Sequence, residues 1–103
     1  MDYEVLLSKK AKDDREELTK QGYGEKIEEL IEILKNDPFQ NPPNYKQLTG
    51  EMKGLLSRRI NREHRLVYEI IPAEDKRFKG TVIIIRMRTH YKGIIPLFFL
   101  IAT

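Results

Sequence analysis

Five cationic side chains, Lys53, Arg58, Arg59, Arg62 and Arg65, fall within residues 53–65, against the single acid Glu63. Arginine suits a phosphate ligand, because its planar fork donates two parallel hydrogen bonds and stays charged throughout the physiological range. A second cationic cluster lies downstream, where Arg86 and Arg88 precede His90 and Tyr91. An imidazole at a strand end beside cations can give a proton to an anionic substrate; the plainer alternative is an ordinary surface histidine at a turn. His64, the other histidine, is read as stabilising its own turn. Two distant histidines without a carboxylate at ligand spacing make a weak metal case, and no metal or cofactor is expected. No serine–histidine–acid set, glycine-rich phosphate loop or paired-carboxylate signature is present.

Ser57–Ile70 threads these charges through an alternating apolar pattern, which reads as two strands around a turn at Asn61–His64. Alternation puts Leu56, Arg58 and Ile60 on one face and Leu55, Ser57 and Arg59 on the other. On the second strand Arg65, Val67 and Glu69 oppose Leu66, Tyr68 and Ile70. Neither strand is cleanly half-polar, so at least one arginine must sit on a concave or partly buried surface. For any one arginine taken singly, the alternative is a structural ion pair with Glu63 or Glu69.

The elements that position these residues follow from local pattern. Tyr3–Leu7 is β-compatible, and Ser8 is placed to cap a helix over Lys9–Lys20. That helix has little apolar content, Ala11 and Leu18, and is expected on the surface. Gly22 and Gly24 break it. From Glu25 to Lys35, Ile27, Leu30, Ile31 and Leu34 form one apolar stripe, and Asn36, Asp37 and Pro38 stop the helix. Pro38–Asn44 is an extended connection, and Tyr45–Leu48 begins a strand. Strands are expected at Leu55–Ile60 and Arg65–Ile71, followed by a polar turn over Glu74–Gly80. Thr81–Met87, with four consecutive branched apolar residues, reads as a buried strand. The expected class is α+β: an N-terminal strand and a two-helix hairpin packed on a mostly antiparallel twisted sheet of four to five strands.

The chain has 103 residues, 40% hydrophobic and 34% charged, enough for a single core. The net charge is +3 and the pI about 9.2, but the balance is uneven, with acids concentrated before Asp37. A basic patch on a near-balanced protein points to a polyanion, nucleic acid first, or to an acidic protein partner; a solvated charged face is the alternative. There are no cysteines, which excludes disulfides, thiolate zinc and cysteine catalysis and fits a reducing cytosol. Met1 is followed by Asp2, Tyr3 and Glu4 rather than by a signal sequence, and Ile94–Ala102 is too short to span a membrane.

Ser57–Tyr68, SRRINREHRLVY, resembles the signature of the YoeB/Txe branch of the RelE/ParE toxin superfamily. Lys35–Phe39, the Leu48, Gly50, Met52, Gly54 spacing and Thr89-His90-Tyr91 carry the resemblance through Met1 to about Tyr91. It implies a cytoplasmic toxin domain over residues 1–91, neutralised by a cognate antitoxin and, as in many such proteins, homodimeric. It further implies a ribosome-dependent, metal-independent mRNA endonuclease, in which the ribose 2′-OH attacks its neighbouring phosphodiester. On this resemblance the catalytic set is Lys46, Arg65, His90 and Tyr91. Arg65 holds the phosphate, His90 is the general acid and Tyr91 the terminal aromatic. Arg59 lines the site, and Arg58, Lys53 and Arg88 are expected to add phosphate contacts.

Two departures from the family pattern matter. Lys46 stands where the family carries its general-base glutamate, so the site is either served by a neutral lysine or weakened. The alternative functions are a catalytically inactive toxin fold acting through antitoxin binding or operon repression, a gyrase-directed relative, and a non-catalytic RNA-binding domain. The second departure is an apolar extension over residues 92–103, in which eight of the last ten residues are apolar. It is expected to pack on the core, join copies, or cover antitoxin-binding surface.

Overall fold

Ser8 joins the first strand to the first helix and holds both to the far end of the chain. Its hydroxyl accepts a 3.0 Å hydrogen bond from the Ala11 amide, capping the helix, and donates to the carbonyl of Ile85 at 2.8 Å. The computed structural model describes residues 2–89. In order they form β1 (Tyr3–Leu7), α1 (Lys9–Lys20), α2 (Gly24–Asn36), β2 (Tyr45–Gln47), a 3₁₀ turn (Gly50–Met52), β3 (Leu55–Arg59), β4 (Arg65–Ile71) and β5 (Gly80–Thr89). His90, Tyr91 and the extension over residues 92–103 lie outside the described residues.

The sheet runs β1-β5-β4-β3-β2. Only β1–β5 is parallel; the other three pairs are antiparallel, so β2–β3–β4–β5 is a meander with β1 added at its far edge. The two helices cover one face of it, as the α+β expectation had it. Gly22 closes α1 at φ +96°, where a side chain would be strained. The Gly22 amide donates to Thr19 and the Tyr23 amide to Leu18, which uses up carbonyls that the helix end leaves free. An Arg15–Glu28 ion pair then joins the helices.

The main core is Ile27, Leu30, Ile31 and Leu34 of α2 against Leu56, Ile60, Leu66, Tyr68, Val82, Ile84 and Met87 of the sheet. On the opposite face a smaller cluster holds Leu48, Leu55, Val67 and Ile85. The alternation read from the sequence therefore sorts correctly. The run Val82–Ile85 divides between the two clusters, as a strand apolar on both faces must.

Helix α1 departs from the expected surface role. Ala11, Asp14 and Leu18 recur at i, i+3 and i+7, and all three are buried, Asp14 to 4% exposure. The Asp14 carboxylate accepts from Arg86 Nε at 2.8 Å, from a second Arg86 nitrogen at 3.3 Å, and from the Met87 amide at 3.0 Å. The reason lies in β5. Tyr68 opposes Ile84, Val67 opposes Arg86 and Arg65 opposes Thr89, so six residues of β5 run beside four of β4. Such bulges leave backbone groups without a ladder partner. Asp14 takes the Met87 amide, and Ser8 takes the Ile85 carbonyl. An acid in the helix stripe thus satisfies an irregular strand, a requirement that periodicity in α1 cannot reveal.

Candidate active site

β3 and β4 are joined by a tight turn, and Asn61 builds it. Its side-chain oxygen accepts from the Glu63 amide at 2.8 Å and the His64 amide at 2.6 Å, while the His64 carbonyl accepts from Ile60 and Asn61. His64 thus serves the turn through its main chain, with its ring 3.9 Å from Glu63. The turn sets the register, and the register puts Arg59 opposite Arg65 and Ser57 opposite Val67. On the other side of β3, Lys46 of β2 stands opposite Ser57. Lys46, Ser57, Arg59 and Arg65 therefore share the face turned away from the helices.

These four line one groove of about 690 Å³. The volume falls in the ordinary range of ligand sites, about 300–1,000 Å³. Lys26 of α2, Asn44 and Arg58 also line it, with Leu30, Pro43, Tyr45 and Ile60 as apolar walls. No carboxylate is among the described residues that line it, and among the described residues no ion pair engages Arg59 or Arg65. The structural ion pair with Glu63 or Glu69 is thus not what these two arginines form. Arg59 is exposed and Arg65 half-buried. A concave surface with cations and no counter-charge holds a positive potential suited to a phosphodiester.

Of the three further expected phosphate ligands, Arg58 lines the groove but is engaged inside the protein, and Lys53 and Arg88 are not among the lining residues. Arg58 is 1% exposed, and its guanidinium is spent inside the protein. Its nitrogens donate to the carbonyls of Pro43 at 2.7 Å, Gln40 at 2.9 Å and Pro38 at 3.0 Å, and to the Tyr68 hydroxyl at 3.2 Å. It also lies 5.1 Å over the Tyr45 ring. Arg58 is a latch on the loop that enters β2, not a phosphate ligand. Tyr68 completes the latch by donating to Pro38 at 2.7 Å. Burial pushes its phenol up from the ordinary value, with Arg58 pulling part of the way back. Lys53 lines a separate hollow of about 650 Å³ with Phe39, Leu48 and Leu55. Arg88 is exposed on β5 and is not among the residues lining the first groove. Among the described residues no group of three or more His, Cys, Asp or Glu could hold a metal ion, and no helix is long and apolar enough to cross a membrane.

The family model for the YoeB-like toxin of bacterial type II toxin–antitoxin systems matches residues 9–91. The chain belongs to this family of YoeB-like toxins. The toxin YoeB of Streptomyces coelicolor is 36% identical over 66 residues, which is 64% of this chain and 70% of that protein. A solved YoeB/ParE toxin from Agrobacterium tumefaciens superposes with TM-score 0.72 at 32% identity, covering 85% of this chain and 99% of that one. YoeB of Staphylococcus aureus has been solved in a heterotetrameric complex with YefM and as a dimer. These give TM-scores of 0.66 and 0.69 at 26% identity, covering 86% and 88% of this chain and 98% and 100% of theirs.

Sequence reasoning missed Lys26 and Asn44 as groove residues of this YoeB-like chain. For Lys26 a signal existed: it precedes Leu30 by one helical turn and flanks the apolar stripe of α2, so it must stand at the helix–sheet boundary. Asn44 follows a proline pair in a loop whose path depends on Arg58, and no local signal marks it.

Proposed function

We propose that this YoeB-like toxin is a ribosome-dependent mRNA endonuclease whose groove grips one phosphodiester between Arg65 and Arg59. The observation that carries the reading is the cross-strand pair Arg59–Arg65, without an ion-pair partner among the described residues, opening on a groove with no acid among the described residues that line it. In the reaction the ribose 2′-oxygen bonds to phosphorus and the bond to the 5′-oxygen breaks, leaving a 2′,3′-cyclic phosphate and a free 5′-hydroxyl. The arginines stabilise the charge that builds on the non-bridging oxygens. His90 supplies the proton to the departing 5′-oxygen, with Tyr91 beside it. A protonated Lys46 cannot take the proton of the 2′-hydroxyl, which passes to solvent water instead. Lys46 therefore serves as a further cation, and the chain cleaves more slowly than a glutamate-bearing site would.

A second reading is favoured by the absence of a carboxylate from the described lining. In it, the chain is a catalytically inactive toxin fold that acts through antitoxin binding or operon repression. Under both readings the partner is a cognate antitoxin, as YefM is for YoeB of Staphylococcus aureus, and charge complementarity points to an acidic segment of it on the basic face. A homodimer, as for the same relative, a toxin unit over residues 1–91 with an appended segment over 92–103, and residence in the cytoplasm beside ribosomes belong to the same proposal.

The test is mRNA cleavage in a reconstituted translation reaction by the chain and by its Lys46→Glu variant. Restoring a general base is expected to raise cleavage by about 10²–10⁴-fold. Equal, substantial rates would refute a weakened site. Cleavage by neither form, with ribosome binding intact, would favour the inactive-toxin reading.

A further inference from the structure

The groove does not end at the two arginines. β2 is the edge strand of the sheet, and its residues alternate across it: Tyr45 packs on the helix-side core while Lys46 lies opposite Ser57 on the far face. Yet Lys26, Leu30 and Tyr45 line the same groove as Lys46, Arg59 and Arg65. The groove therefore bends around the β2 edge. Its two arms differ in chemistry. The arm on the sheet face is cationic. The arm on the helix side has Leu30, Pro43, Tyr45 and Ile60 as apolar walls and carries Lys26, beside an Arg58 whose nitrogens are already bonded to the loop carbonyls and Tyr68.

We propose that this helix-side arm is a second nucleotide subsite, with a base against Tyr45 and Pro43 and its phosphate on Lys26. The inference rests on the proposed phosphodiester grip and extends it by one nucleotide. An apolar wall beside a cation that no ion pair engages among the described residues matches a nucleotide, which presents a flat apolar base and one charge per residue. Tyr45 is held for this. Its ring has Arg58 on it at 5.1 Å and Phe39 edge-on at 6.2 Å, so its place is set before ligand arrives. Lys26 is half-buried, and among the described residues no ion pair engages it, so its charge is available. An acidic peptide would use Lys26 but gain nothing from a face suited to stacking.

The probes are 2′-O-methyl oligonucleotides of one to four residues, which bind without cleavage, measured by fluorescence anisotropy across a salt series. For the unaltered chain, lengthening the probe past the arginine grip is expected to tighten binding. In Lys26→Ala the longer probes lose that gain, and the slope of log affinity against log salt falls by about 0.7, the share of one phosphate on a single strand. Lys10→Ala, an exposed lysine on α1, serves as the control and leaves both unchanged. Tyr45→Phe keeps the ring and is expected to bind as the parent does, whereas Tyr45→Leu, compared once a melting curve shows it folded, is expected to lose the length gain. If Lys26→Ala matches the parent at every length while Arg65→Ala abolishes binding, the grip stands and the subsite is overturned. If Lys26→Ala weakens only a glutamate-rich peptide, this arm is a protein-docking surface and the subsite is again overturned. If no oligonucleotide binds the parent chain, the phosphodiester grip itself fails, and the subsite with it.

Discussion

Arg59 and Arg65 stand directly opposite each other on β3 and β4, and among the described residues neither has a carboxylate partner. Cβ atoms at such positions are about 4.5–5.5 Å apart, and like charges there are destabilising. Among the described residues no carboxylate offsets this repulsion, which an anion between the two guanidinium groups would relieve. The arrangement sets stability against binding, and the two can be measured separately.

Arg59→Gln and Arg65→Gln are accordingly expected to leave the melting temperature unchanged or raise it by a few degrees, since relief of about 0.5 kcal/mol corresponds to roughly 2–4 °C in a domain of this size. Added salt should stabilise the parent chain more than either variant, because screening acts on the repulsion that the variants lack. Cleavage by Arg65→Gln should fall by about 10²–10³-fold. A variant that melts well below the parent would show the pair to be structural.

The Arg58 latch makes the opposite prediction. Removing its guanidinium strips partners from the Pro38, Gln40 and Pro43 carbonyls and the Tyr68 hydroxyl at once. Arg58→Ala is expected to lose about 3–5 kcal/mol in chemical denaturation, the range for breaking a buried charged network. Tyr68→Phe, which removes the bond to Pro38 and the acceptor of Arg58 Nε but leaves the other Arg58 bonds, should lose about 1–3 kcal/mol. An Arg58→Ala chain as stable as its parent would mean that the loop into β2 holds itself.

Asp14 clamps α1 to the bulged strand. Asp14→Ala leaves Arg86 and the Met87 amide without their acceptor in a largely buried site and should cost about 3–5 kcal/mol. Asp14→Asn keeps one acceptor oxygen and should cost less. The Arg15–Glu28 pair between the helices is more exposed, and Glu28→Gln should change stability by under about 1 kcal/mol.

Tyr68 predicts a pH dependence. Its phenol titrates above the ordinary 10.0 because burial disfavours the anion, with Arg58 offsetting part of that. The sign follows from proton binding: in alkali the unfolded chain gives up this proton first, so the folded state holds more protons and stability falls as pH rises. The contribution is complete below pH 10.0 and is lost as pH climbs through the raised value. Tyrosinate absorbance should show a phenol titrating above pH 10.0 that is absent from Tyr68→Phe, and the parent should lose stability above pH 10.0 more steeply than that variant.

By itself the sequence determined the elements and the faces of the site. Alternation on Ser57–Ile70 grouped Ser57 with Arg59 and Arg65 with Val67, and the apolar stripe of α2 named the helix that covers the other side. These are local properties, set by side-chain period and by turn residues such as Asn61 and Gly22. Even Arg58 carried a legible signal, since it shares its face with Leu56 and Ile60, both of which are core residues. Only the tertiary structure decided what each cation does. Arg58 and Arg59 are adjacent and chemically identical, yet one is surrounded by carbonyls from Pro38, Gln40 and Pro43 and the other opens on a groove. Those carbonyls lie 15 to 20 residues away along the chain and become acceptors only when the loop folds over β3. The joining of Lys26 to Lys46 across an edge strand, and of Asp14 to a bulge in β5, are likewise long-range. No pattern within one segment records which distant backbone group will need a partner.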